Sequence, residues 1–361
     1  MFDTILPADS IEFCPHPDAQ DIFVCGTYNL LKPEEQFRTL PPKRNGQCLV
    51  FRCQYQQDDI AQSSFEKIQE INYPALPDMK WCHRSAASKA TLAIADSEGG
   101  IHLLDWSPEE SRLEETTRKQ IADSSETLCL SLDWSNRRNP TSNLGKLVVS
   151  CSDGNLVLLD PNSSSVVITD SWKAHEYEPW IAAWNYWDAN MIYSGGDDLK
   201  LKGWDIRTDL RDPIFVNKRF EAGITTIQSH PYIEHLLAVG SYDSSVRLFD
   251  VRKPVPLSQT DVGGGAWRVK WHPSATRKSD LLVACMHDGF KILRFDELAT
   301  ETKNLEDMQL LSSSATVIQR FDEHQSLAYG VDWSFAPSSN DKKTAIASCS
   351  FYDHNLRFWS G

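Results

Sequence analysis

The stretch His175–Asp205, HEYEPWIAAWNYWDANMIYSGGDDLKLKGWD, decides the fold. A histidine in a polar turn precedes an apolar strand from Trp180 to Trp184. A second strand covers Met191 to Ser194, a Gly-Gly-Asp-Asp turn follows, and a third strand closes on Trp204-Asp205. Asp198 stands six residues before Trp204, and Ser194 four before Asp198. At that spacing His175, Ser194, Asp198 and Trp204 can join into one buried hydrogen-bond chain, which is how a four-stranded propeller blade locks its turn to its third strand.

This order of cues is the WD-repeat pattern, and the rest of the chain approximates it. Working backward, LCLSLDW, KLVVSCSDGN and LVLLD (Leu128 to Asp160) make one unit. MKWCH, TLAIADSEGG and IHLLDW (Met79 to Trp106) make another, and SIEFCPHP, DIFVCGTY and QCLVFRC (Ser10 to Cys53) a third. Working forward, units end at Asp250 (VRLFDVR), in FKILRF, and at Trp359 (LRFW). Unit ends at Asp105, Asp160, Asp205 and Asp250 recur every roughly 45–55 residues, close to the period of such blades. The excess is expected in polar connections: residues 29–46, 107–120 and 297–314. The prediction is an all-β, seven-bladed WD-repeat propeller forming a single domain over residues 1–361. Its N-terminal FDTIL strand should complete the last blade, since an open ring would leave a sheet edge unpaired.

Composition narrows the function classes. The net charge of −14 argues against nucleic acid as a primary ligand, because phosphate binding needs clustered Lys and Arg. No apolar run reaches membrane-spanning length, and the N-terminus lacks the pattern of a signal peptide, so a cytoplasmic protein is expected. Nine cysteines without a CxxC pair favour reduced core residues over a metal or disulfide framework, and neither metal nor cofactor is expected.

Blade tips supply the candidate site. The residue preceding the structural aspartate lies at the turn's tip, which selects Asp197, Tyr242 and Tyr352. Trp180 and Trp267 lead into first strands and should reach the same rim, with Glu178 and Arg268 beside them. In the sixth unit His287 takes the place of the structural aspartate, a break in the local rule of the kind found at functional sites. Gly263, Gly264 and Gly265 either form a tight turn or present backbone N–H groups to an oxyanion. His175 has a structural explanation, yet it joins Glu178, Asp197 and His287 as a candidate acid–base group.

The strings HEYEPWIAAWNYW, YSGGDDLKLKGWD, GSYDSSVRLFDVR, GGGAWRVKWHP, ACMHDGFKIL and ASCSFYDHNLRFW together resemble the WD-repeat diphthine methyltransferase/methylesterase family of diphthamide biosynthesis. The resemblance is strongest from His175 onward. It implies hydrolysis of the methyl ester of methylated diphthine on elongation factor 2, with that factor as partner and other proteins of the pathway as further contacts. A different class is also open. Trp204-Asp205-Ile206-Arg207 resembles the WDxR pattern of substrate receptors of cullin-type ubiquitin ligases, and such a propeller is a scaffold without chemistry.

Overall fold

A computed structural model describes all residues except 32–42, 57–59, 163–164, 254, 300–313 and 338–342. Seven antiparallel sheets follow one another around a ring, one for each predicted repeat. The innermost strands are Ala8–Phe13, Asp78–Trp81, Cys129–Trp134, Ile181–Trp184, Ile224–Ser229, Arg268–Trp271 and Ala328–Trp333 in blades 1 to 7. The last of these packs against the first, which closes the ring. At the N-terminus, Phe2 pairs with Leu356 and Asp3 with Asn355, so Phe2–Asp3 is the outer strand of the seventh sheet.

Alternation along the innermost strands explains their composition. One face (Ile11, Met79, Leu132, Val269, Val331) enters the apolar layers between blades. The other carries buried polar groups that staple each blade to the next. Asp78 accepts the backbone N–H of Leu132 at 3.0 Å, Asp133 that of Trp184 at 2.8 Å, and Asp332 that of Phe13 at 2.9 Å. Tryptophans at the strand ends add a second set. The indoles of Trp81, Trp134, Trp184 and Trp333 donate to Glu12, Lys80, Asp133 and Lys270 carbonyls of the preceding blade. Each of these four donors is thereby satisfied across a blade boundary, which couples blades that share no sheet.

Two readings of the sequence need correction or limits. Residues 107–120 are not a connecting loop: Arg112–Gln120 is the outer strand of blade 2, pairing with Gly100–Ser107. Its residues are mostly exposed, so it lacks the apolar alternation that marks a strand. The connections read at 29–46 and 297–314 fall largely outside the described residues. All nine cysteines are free and buried.

Candidate active site

Each innermost strand starts at one end of the ring, where the second-to-third-strand turns also lie. Trp180 immediately precedes the inner strand of blade 4, and Trp267 that of blade 6. Their rings meet at 5.7 Å between centroids. Tyr242, from the blade 5 turn, lies 5.8 Å from Trp267, and Tyr329 of blade 7 stacks on Trp267 at 4.7 Å and 22°. Phe351 continues the cluster at 5.1 Å from Tyr329 and touches Tyr352 at 4.9 Å. Aromatic rings from four blades therefore cluster at this end of the ring, around the mouth of the central channel, with Trp267 buried at their centre and Trp180, Tyr242 and Tyr329 partly exposed around it. The indole N–H groups of Trp180 and Trp267 are buried and have no acceptor among the described residues.

Acidic groups edge this mouth. Glu178 and Asp197 are exposed and lie together, the Asp197 N–H donating to the Glu178 carbonyl at 3.0 Å. Partial burial raises the Asp197 carboxyl above its usual range, and the Glu178 charge adds to the rise. The Trp180 indole, close but outside hydrogen-bond geometry, opposes it. Tyr242 is pushed up to about 12 by burial, with Asp197 and Asp9 contributing, so it stays a neutral phenol. Beneath the aromatics, Arg268 is buried. It donates to the Pro77 carbonyl at 3.2 Å, approaches Asp78 at 3.5 Å, and lies 5.8 Å from the Trp267 ring.

Other predicted residues fall elsewhere. His175 is buried inside blade 4, its Nδ1 at 2.8 Å from Asp198 and its Nε2 at 2.7 Å from Ser194, whose hydroxyl also accepts from the Trp204 indole at 2.8 Å. Both ring nitrogens are committed to this network, and burial lowers the His175 pKa, so its candidacy as an acid–base group is withdrawn. His324, passed over in the sequence, makes the corresponding contacts to Ser348 and Ser350 in blade 7.

His287 is exposed at the turn of blade 6, while Asp288, one residue on, pairs with Lys291 and Arg320. His287 and Tyr352 line a cleft of about 600 Å³ between blades 6 and 7 that includes none of Trp180, Tyr242 or Trp267. The glycine run is a tight approach rather than an open donor array. A Cβ on Gly264 would stand 2.2 Å from the Cys285 carbonyl, and the Gly263 N–H already donates to Asp261 at 2.8 Å. Gly263 is thus removed from the oxyanion candidates, which leaves Gly264 and Gly265.

Asp9 is a residue that sequence reasoning missed. It sits in a β-bulge, the register slipping between Ala8 and Ser10, and such a bulge re-aims a side chain at the strand's end. Tyr329 is brought to the mouth by the same device, in the slip between Ala328 and Val331. Asp9 is 6% exposed and makes no hydrogen bond or ion pair among the described residues. Burial pushes its carboxyl up to about 7, against the pull of Arg268. The signal was present in the sequence as acids inside a short apolar strand, ADSIEF.

No protein-family profile matches the chain. Among curated proteins, it is 39% identical to the human protein named diphthine methyltransferase, over 92% of this chain and 74% of the relative. It is 36% identical to the Dictyostelium discoideum diphthine methyltransferase homolog, over 98% and 96%, and 28% identical to the Schizosaccharomyces pombe diphthine methyltransferase, over 94% and 91%. Among solved structures, a chain of a mitotic checkpoint complex superposes over 100% of this chain and 91% of its own, with a TM-score of 0.65 at 15% identity. That last likeness speaks to the propeller alone.

Proposed function

The chain belongs to the diphthine methyltransferase family, and we propose that it acts in diphthamide biosynthesis by hydrolysing the methyl ester of methylated diphthine on elongation factor 2, giving diphthine and methanol. The observation that carries this reading is the aromatic mouth of Trp180, Tyr242, Trp267 and Tyr329 with acids at its edge. Such a ligand presents a quaternary ammonium beside an ester. Aromatic faces hold that cation at about 0.5–2 kcal/mol each, and they do so without a hydrogen bond, which a quaternary nitrogen cannot donate. Asp197 and Glu178 supply the negative potential that draws the cation in.

The ester then lies over the channel, where the Trp180 and Trp267 indole N–H groups, Arg268 and the Gly264 and Gly265 amides are the donors available to a carbonyl oxygen. A site formed by loops on one face suits a protein substrate whose modified side chain reaches in from solvent. The cleft beside it, with His287 and Tyr352, would take the flanking surface of the factor.

Purified protein alone, given elongation factor 2 bearing the methyl ester and no methyl donor, is expected to release methanol. Ester formation that requires an added methyl donor, with no release without it, would make the activity a transfer in the opposite direction. The WDxR segment does not favour the scaffold reading: Arg207 is held back on Asp205, Nε at 2.9 Å, and so is Arg252 on Asp250 in the next blade.

A further inference from the structure

We propose that Asp9 is the general base that activates water for attack on the ester carbonyl, an assignment that rests on the hydrolytic reading above. The geometry singles it out among the carboxylates of the channel. Asp78 is paired with Lys80 at 2.6 Å and approached by Arg268, and Glu12 is held by Lys80 and Lys270. Asp133 and Asp332 accept the backbone N–H groups of Trp184 and Phe13, which leaves Asp9 as the one of these buried acids with no hydrogen-bond or ion-pair partner among the described residues. Asp197 and Glu178 are exposed at the edge, where they provide charge but no shielded position for a proton, and His287 belongs to the neighbouring cleft. The same slip opens the inner strands of blades 3, 5 and 7, so what sets Asp9 apart is a buried carboxyl at that position with no compensating partner among the described residues, which costs stability and marks a residue kept for chemistry.

The charged and titratable groups around Asp9 come from five blades. Arg268 and Asp78 act on it from blades 6 and 2. Its charge is felt by Cys25 and Tyr28 in blade 1, Tyr242 in blade 5 and Tyr329 in blade 7. Burial dominates, and it brings the carboxyl to about 7, where a base is both largely available and able to take a proton at neutral pH.

The step balances without another reactant. Asp9 takes one proton from water as the water oxygen bonds to the ester carbon, and the carbonyl electron pair moves to oxygen. The tetrahedral oxyanion collapses, the bond to the methoxy oxygen breaks, and that oxygen takes the proton back from Asp9 to leave as methanol. The new carboxylic acid then loses its own proton to solvent.

The test is Asp9→Asn, assayed for methanol release from elongation factor 2 carrying the methyl ester. A general base contributes about 100- to 10,000-fold, so kcat should fall by that factor with KM little changed. The wild-type rate should rise with pH through about 7 to a plateau, a limb the variant should lack. Folding is checked in the same preparation. A carboxyl whose pKa is raised on folding contributes stability below the unfolded value and loses it as pH rises through the folded one, so Asp9→Asn should melt no lower than wild type above pH 7. Equal turnover by the variant, or a variant that retains the pH limb, would overturn the role of Asp9 and leave hydrolysis standing. A wild-type protein that releases no methanol would overturn hydrolysis itself, and the base with it.

Discussion

Replacing Glu12 by Gln should be among the most damaging single changes to stability in this chain, because one carboxylate in the channel holds together three blades. Glu12, on the inner strand of blade 1, accepts from Lys80 of blade 2 at 2.8 Å and Lys270 of blade 6 at 2.5 Å, and all three side chains are nearly buried. The two lysines bring the Glu12 carboxyl down to about 2 from 4.5 in spite of burial. At about 1.4 kcal/mol per pKa unit that is about 3 kcal/mol, and breaking a buried pair from one side costs about 3–5 kcal/mol. With an unfolding entropy of about 2.1 cal/mol/K per residue over 361 residues, Tm should fall by about 4–7 °C at pH 7.

The pH dependence has a definite sign. Glu12 is depressed on folding, so its contribution is complete above about pH 4.5 and is lost as pH falls toward 2, a loss the variant should not show. Scanning calorimetry at several pH values reads both. Lys80 keeps Asp78 at 2.6 Å and Lys270 keeps Asp332 at 3.6 Å, so the damage in Glu12→Gln is the loss of one shared buried carboxylate and not two unpaired cations. A Tm within a degree of wild type for Glu12→Gln would show that the channel charges are solvated and refute the argument.

Two further expectations concern blade 4. His175→Ala should cost about 1–3 kcal/mol through the orphaned Ser194 and Asp198, with turnover per folded molecule preserved; a stable, inactive variant would restore His175 as the base. Trp180→Ala, which removes a half-buried ring from the mouth, should raise KM for the modified factor several-fold while leaving kcat near wild type, and steady-state kinetics showing the reverse would place Trp180 among the reacting groups.

The inner and middle strands were legible in the sequence because both faces are buried, and the third strands of blades 4 and 5 because they close on Trp204-Asp205 and Phe249-Asp250. The hydrogen-bond chain of blade 4 was legible for the same reason, its spacing being fixed by one hairpin. The outer strands were not. Ser64–Tyr73 and Arg112–Gln120 pack by one face at the rim, and charged, solvated residues dominate them. Trp180, Trp267 and Tyr242 could be placed on one face because loop position along a blade determines which end of the ring a residue occupies. Asp9 and Tyr329 could not, since a bulge inserts a residue without altering the hydrophobic pattern on either side. A broader signal was available. Charged residues recur inside otherwise apolar inner strands, as in DMKW, RVKW and CLSLDW, and they mark the wall of a polar channel.

Turnover in oxygen-18-labelled water tests the central claim most directly, because it reports which bond breaks. Attack of water on the ester carbonyl puts the label in the new carboxylate of diphthine and leaves methanol unlabelled, which is the predicted result for the purified protein without a methyl donor. Label in methanol would mean that water had attacked the methyl carbon and not the acyl carbon, and that result would contradict carbonyl attack at this site, as the absence of any methanol would contradict hydrolysis.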